Sequence, residues 1–251
     1  PIQRIGLSAT VGNPHEMVRW LQGSNRDDRP AKVVTADDAT SSSVEVGLDY
    51  VGSVENAAEV ISRLHRGEKR LVFCESRKSA EELAFELRER RVTTYVSHSS
   101  LSREERRISE QAFAEDRDCA IVATSTLELG VDIGDLDRVI QLDAPRSVAA
   151  FLQRLGRTGR RPGTVRNTLF LATDTPALLR AAGLMRLWRE GFVEPIVPPS
   201  HPRHIAAQQL LGLALQEGRF GRSRIDEWWG DLPVMADRSA VLEHLEAEQF
   251  L

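Results

Sequence analysis

Short apolar runs alternate with amphipathic stretches along most of this chain. "RLVFC" (70–74), "VTTYV" (92–96), "CAIVAT" (119–124), "RVIQLD" (138–143) and "NTLFLA" (167–172) have the length and side-chain types of buried strands. "VEVGLDYV" (44–51) predicts another strand ahead of them. Helical patterns lie between. Residues 79–91 set Leu83, Ala84 and Leu87 on one face behind a Ser79/Glu82 capping box, and Ser102 with Glu105 opens a second capped helix. Apolar strands separated by amphipathic helices predict an α/β fold, a mostly parallel sheet with helices on both faces. Right-handed crossovers then gather the loops after the strands along one edge, where such sheets hold their ligands.

The two ends of the chain depart from this alternation. "RIGLSATVGNPHEMVRWLQG" (4–23) reads as strand, turn and helix, with Asn13 capping, Pro14 at the first helical position, Glu16 completing the box and Gly23 as the stop. Ile2 and Ile5 are apolar before any partner strand, so residues 1–36 are expected to be the tail of a preceding domain, with the sheet domain over 37–175. Residues 176–200 predict a helical and proline-rich connector. Residues 201–251 hold three short helical patterns, as in a winged helix or another helix-turn-helix bundle.

Composition adds constraints. A formal charge of −4 means that any nucleic-acid surface must be local. No apolar run has the length of a membrane span, and the first residues lack a basic-then-apolar leader, so a cytoplasmic location is expected. Cys74 and Cys119 fall in strand patterns and read as small core residues.

Local charge is less even. "FLQRLGRTGRR" (151–161) carries Arg154, Arg157, Arg160 and Arg161, and no Asp or Glu stands anywhere between Phe151 and Asn167. On a helix these arginines would share one face, and planar guanidiniums on a rigid element suit phosphate. Gly156 and Gly159 would each cost such a helix about 1 kcal/mol, which predicts a close backbone approach or a helix end. Three post-strand loops also carry polar groups. They hold Ser76 and Arg77, then His98, Ser99 and Ser100, then Thr124, Ser125, Thr126, Gly130 and Asp132. Hydroxyls, guanidiniums and helix N-termini at such loops suit phosphate or sugar without base readout. Each has a plainer reading beside it: Ser76 and Ser79 as helix caps, His98 as a satisfied loop histidine, Asp132 as a turn partner of Gly134.

"SAT" (8–10), "VFCESR" (72–77), "ATSTLELGVDIGDLDRVI" (123–140) and "QRLGRTGR" (153–160) follow one another in the order of motifs III, IV, V and VI of superfamily 2 helicases. The last is similar to the H/Q-R-x-G-R-x-G-R signature. The continuation through "LFLATDTPALLRAAGLMRLW" to a helical bundle resembles the large-helicase-related (Lhr) group. The resemblance implies a RecA-like second motor domain followed by a small winged-helix-like domain. It implies that Arg157 and Arg160 are arginine fingers at the nucleotide's γ-phosphate, with Gln153 and Arg154 on the same ATP-facing helix, positioning it. Gly130 and Asp132 would line the nucleotide side of the cleft. Ser76, Arg77, His98, Ser99, Thr124 and Ser125 would follow the phosphates of a single strand, DNA ahead of RNA. Ser8 and Thr10 would couple nucleotide state to strand grip. Arg161 lies outside the signature and stays a surface or strand-contacting arginine.

Two family motifs do not occur in these residues. No G-x-x-x-x-G-K-[ST] loop is present, and no D-E-x-H/D follows an apolar strand, since "IDEWW" (225–229) sits among helical patterns. ATP and Mg²⁺ are therefore expected to be held mainly by a first RecA-like domain in cis, and this stretch alone is expected to be inactive. The implied whole is a monomeric, membrane-free 3′-to-5′ DNA helicase, with a repair setting implied by the resemblance alone. A non-enzymatic single-strand adaptor and a duplex translocase that never separates strands are the alternatives. Residues 201–251 carry five arginines against eight acids, so they are expected to brace the motor and not to grip duplex by charge, with Trp228 and Trp229 either packing or stacking on a base.

Overall fold

The computed structural model describes residues 3–8, 10–22, 30–34, 43–128, 136–161, 163–230 and 232–250. The chain divides into two compact units, Pro1–Pro195 and Ile196–Leu251.

The first unit is built on six parallel strands: β1 (Val44–Tyr50), β2 (Arg70–Cys74), β3 (Thr93–Ser97), β4 (Cys119–Ala123), β5 (Arg138–Leu142) and β6 (Arg166–Ala172), in the order β1-β6-β5-β2-β4-β3. β2 and β4 are buried at every position because helices cover both faces. Val72 and Cys74 point to one face, under α2 (Val54–Arg63) and α3 (Arg77–Glu89), which supply Ala57, Ala58, Ile61, Leu83 and Leu87. Leu71 and Phe73 point to the other, where Phe113 of α4 (Arg103–Glu115) packs. That face continues over β6 with α5 (Val148–Leu155) and α6 (Thr175–Arg189), where the Phe151 ring lies 5.5 Å, centroid to centroid, from both Phe170 and Trp188. α6 is therefore a layer of the sheet domain and not part of a linker. Cys74 and Cys119 are buried free thiols, and desolvation pushes Cys119 up to about 11.

Local expectations fare unevenly. α4 starts behind the Ser102/Glu105 capping box. α3 begins earlier than its pattern suggested, because Ser76 and not Ser79 is the cap, accepting the Ser79 N–H at 3.0 Å. α1 (Pro14–Gln22) begins at Pro14, but residues 3–8 before it form no strand. Ile5 and Leu7 lie exposed there, with no partner strand among the described residues.

The second unit is a three-helix bundle: α7 (Arg203–Glu217), α8 (Arg222–Trp229) and α9 (Arg238–Ala247). Leu210, Ile225, Met235 and Leu242 form its core, with Trp229 packed at the margin. Trp228 is exposed beneath the Arg224 guanidinium, 5.6 Å from its ring centroid. Among the described residues no helix is long and apolar enough to cross a membrane, and no cluster of three or more His, Cys, Asp or Glu could hold a metal ion.

Candidate nucleotide-facing and strand-facing site

The arginine segment is not one helical face. α5 ends at Leu155, Gly156 is its C-cap, and Arg157, Arg160 and Arg161 follow on a turn. Gly159 adopts φ +68°, and a Cβ there would lie 2.7 Å from the Arg166 backbone nitrogen as β6 begins. The close approach inferred from the two glycines is thus real at Gly159, while Gly156 ends the helix. Gly159→Ala is expected to cost about 2–4 kcal/mol from the left-handed backbone and the clash together, read as a lower midpoint in chemical denaturation.

Nor are the arginines all without acids. Arg154 is 4% exposed and fully engaged inside the protein. Its Nε and Nη2 donate to Glu128 Oε1 at 2.8 and 2.6 Å, Nη1 donates to Gln141 Oε1 at 2.7 Å, and Nη2 also reaches Glu75 Oε1 at 2.8 Å. The guanidinium lies over the Phe73 ring, 4.8 Å from its centroid. Two carboxylates, an amide and an aromatic face offset the desolvation of this cation. Its donors are spent on locking α5 over the carboxyl ends of β2 and β5, so Arg154 bears on the nucleotide side only through the helix that it holds. Arg161 is likewise paired, its Nη2 with Asp137 Oδ1.

Arg157 is 7% exposed, and its Nε and Nη2 donate to the Glu128 carbonyl. Burial, then the neighbouring Arg160 charge, holds its pKa below the usual guanidinium value. A cation kept partly desolvated beside another cation gains from a polyanion. Arg160 is exposed, with Nε donating to the Gly156 carbonyl at 3.0 Å, which fixes its stem to the end of α5. Gln153 is half-buried on α5. Gly130 and Asp132 lie outside the described residues. Glu128 was not singled out from sequence, yet its carboxylate holds Arg154 and its carbonyl holds Arg157. Its only sequence signal was its place in the segment after β4.

The other loops converge at the carboxyl ends of β2, β3 and β4. Arg77, exposed at the start of α3, donates from Nη1 to Ser100 Oγ and so joins the loops after β2 and β3. The Thr124 N–H donates to the Ser97 carbonyl at 3.2 Å and joins the loop after β4. Ser76, Arg77, Ser99 and Ser125 are exposed along this edge and Thr124 is half-buried. His98 departs from the sequence reading. It is 4% exposed, with Nε2 lying 2.5 Å from Glu81 Oε1 and Nδ1 sealed from solvent. A ring so enclosed anchors its loop to α3 and presents no edge to a phosphate. Ser8 is exposed, Thr10 is half-buried, and both belong to the segment leading into Gly12.

Residues 53–162 match the helicase conserved C-terminal domain. The Escherichia coli Lhr helicase/uracil glycosylase is 30% identical over 92% of this chain and 19% of its own length. The Thermococcus barophilus ATP-dependent helicase Lhr-Core protein 2 is 30% identical over 85% of this chain and 26% of its own. Among solved structures, Mycobacterium smegmatis helicase Lhr bound to ssDNA and AMP-PNP superposes with a TM-score of 0.74 at 31% identity, covering 86% of this chain and 30% of that one. The chain thus spans less than a third of the length of these relatives. Its parallel sheet is RecA-like, and the chain belongs to the Lhr-like helicases of superfamily 2.

Proposed function

We propose that this chain is the second motor domain of an ATP-driven translocase on single-stranded nucleic acid, a 3′-to-5′ DNA helicase, followed by a small winged-helix-like domain over 201–251. Residues 1–36 are read as the tail of the first motor domain. The observation that carries this is the division of labour among the arginines. Arg154 is consumed internally by Glu75, Glu128 and Gln141, and the rigid turn it anchors carries Arg157 and the exposed Arg160. A locked base under an exposed cation is what phosphate clamping in a transition state requires. These residues contain no P-loop and no carboxylate box for Mg²⁺, so the nucleotide would be held by a domain bearing both and closed upon by this turn. The relative bound to ssDNA and AMP-PNP supports the pairing of strand and nucleotide; DNA over RNA and the direction of travel rest on the family likeness.

On the strand side, Ser76, Arg77, Ser99, Thr124 and Ser125 would contact successive phosphates, with Ser8 and Thr10 relaying nucleotide state. Arg77→Ala in the full-length enzyme is expected to weaken single-strand binding about 5–20-fold uniformly across sequences, and to reduce the slope of log K against log salt by about 0.7. Fluorescence anisotropy over a salt series measures both. An unchanged slope would remove Arg77 from the strand path.

A further inference from the structure

We propose that Glu194 is a positioning residue that ties the segment bearing Ser8 and Thr10 to the arginine turn. This rests on the proposed function and adds to it a physical link between two motifs far apart in sequence.

The link has two halves. Glu194 follows α6, yet its Oε1 accepts the Val148 N–H at 2.7 Å and its Oε2 accepts the Ala149 N–H at 3.0 Å. Ser147 Oγ accepts the next amide, that of Ala150, at 3.1 Å. The first amides of α5 are thus closed by one local hydroxyl and one distant carboxylate, a favourable place for negative charge. Although burial opposes it, the Val148 and Ala149 amides hold the Glu194 carboxyl below its ordinary range. The second half is the backbone. A Cβ on Gly12 would lie 2.3 Å from the Val193 carbonyl oxygen and 2.8 Å from the Glu194 carbonyl carbon and oxygen. The chain just beyond Thr10 is therefore pressed against the same residue whose side chain grips α5.

α5 is eight residues long, about 12 Å, and is held at both ends. Glu194 grips its first turn, and the Arg154 cluster grips its last. A push on Glu194 from the Gly12 side can shift α5 along its axis, and the turn carrying Arg157 and Arg160 moves with it. Displacements of about 1 Å matter at this scale, since misplacing a transition-state group by that much can cost about 100-fold in rate.

The test uses the full-length enzyme and steady-state ATPase with saturating single strand. Glu194→Ala should lower kcat about 10–100-fold while KM for ATP stays within about threefold. Glu194→Gln, which keeps an acceptor but loses the charge, should fall between Ala and wild type. Gly12→Ala should lower kcat in the Glu194 background. In the Glu194→Ala background it should cost less than about a further twofold, because the link is already cut. Wild-type kcat in Glu194→Ala, Gln no better than Ala, or multiplicative effects of the two substitutions would each overturn the proposal. Hydrogen exchange at the Val148 and Ala149 amides of this chain gives an independent check. Exchange should quicken at least tenfold in Glu194→Ala while the β2 and β4 amides stay protected, and unchanged exchange overturns the strap. If the wild-type enzyme shows no strand-stimulated turnover, the motor reading fails alone, and the exchange result still decides whether the strap exists.

Discussion

Arg160→Ala in the full-length enzyme is expected to lower strand-stimulated ATP turnover by about 10³–10⁵, with ATP affinity changed only a few-fold. The size follows from where Arg160 sits. It is exposed at the end of a turn whose stem is fixed by its own bond to the Gly156 carbonyl, by the positive φ of Gly159 and by the buried Arg154 behind it. Under the proposed function such a cation would act on charge that develops during phosphoryl transfer, so its loss should fall on kcat more than on binding. Arg160→Lys keeps the charge but not the planar fork, and most of the loss should remain. Arg161→Ala is the control, since Arg161 pairs with Asp137, and turnover there should stay within about threefold. Steady-state ATPase with binding of a non-hydrolysable analogue separates the two quantities. Near-wild-type turnover in Arg160→Ala would remove the arginine-finger assignment.

The second large effect is on stability. Arg154→Met keeps much of the side chain's bulk against Phe73 but leaves Glu75 and Glu128 sharing a site with no cation between them. Arg154 is buried but Glu75 is exposed and Glu128 half-buried, so removing the cation should cost about 1–3 kcal/mol, which for a unit of this size lowers Tm by roughly 2–12 °C. Combining Arg154→Met with Glu75→Gln and Glu128→Gln should recover a large part of that loss, because the stranded charges are gone. Calorimetry on this chain reads both. A single variant as stable as wild type would mean that the cluster carries little of the fold.

Much of the sheet was legible because buried strands announce themselves: "RLVFC" coincides with β2, and the other strand patterns lie within a residue or so of β1 and β3 to β6. α2 passed unread. Its buried face is Ala57, Ala58 and Ile61, and two alanines make a faint apolar signal. The partners of Arg154 are invisible in sequence for a different reason. A scan of neighbouring residues finds no acid near Arg154, whereas folding brings in Glu75 from the end of β2 and Glu128 from beyond β4. Ion pairing across crossovers leaves no local trace. The enclosure of His98 is hidden in the same manner, since the carboxylate beside it comes from α3. What remained legible was the loop edge: Ser76, Arg77, Ser99, Thr124 and Ser125 were placed there by the alternation of strands and helices alone.

The pairing of β1 with β6 also bears on how the molecule is born. Val44 aligns with Arg166, so 122 residues separate the two ends of that ladder (166 − 44). At about 5–20 residues per second a ribosome takes roughly 6–25 s to deliver the partner, and the earlier strand waits through that interval. β2, β3 and β4 can meet well before then. Synthesis therefore favours a nascent three-stranded nucleus, with the outermost ribbon zipped on last and most open in the meantime to capture by a chaperone.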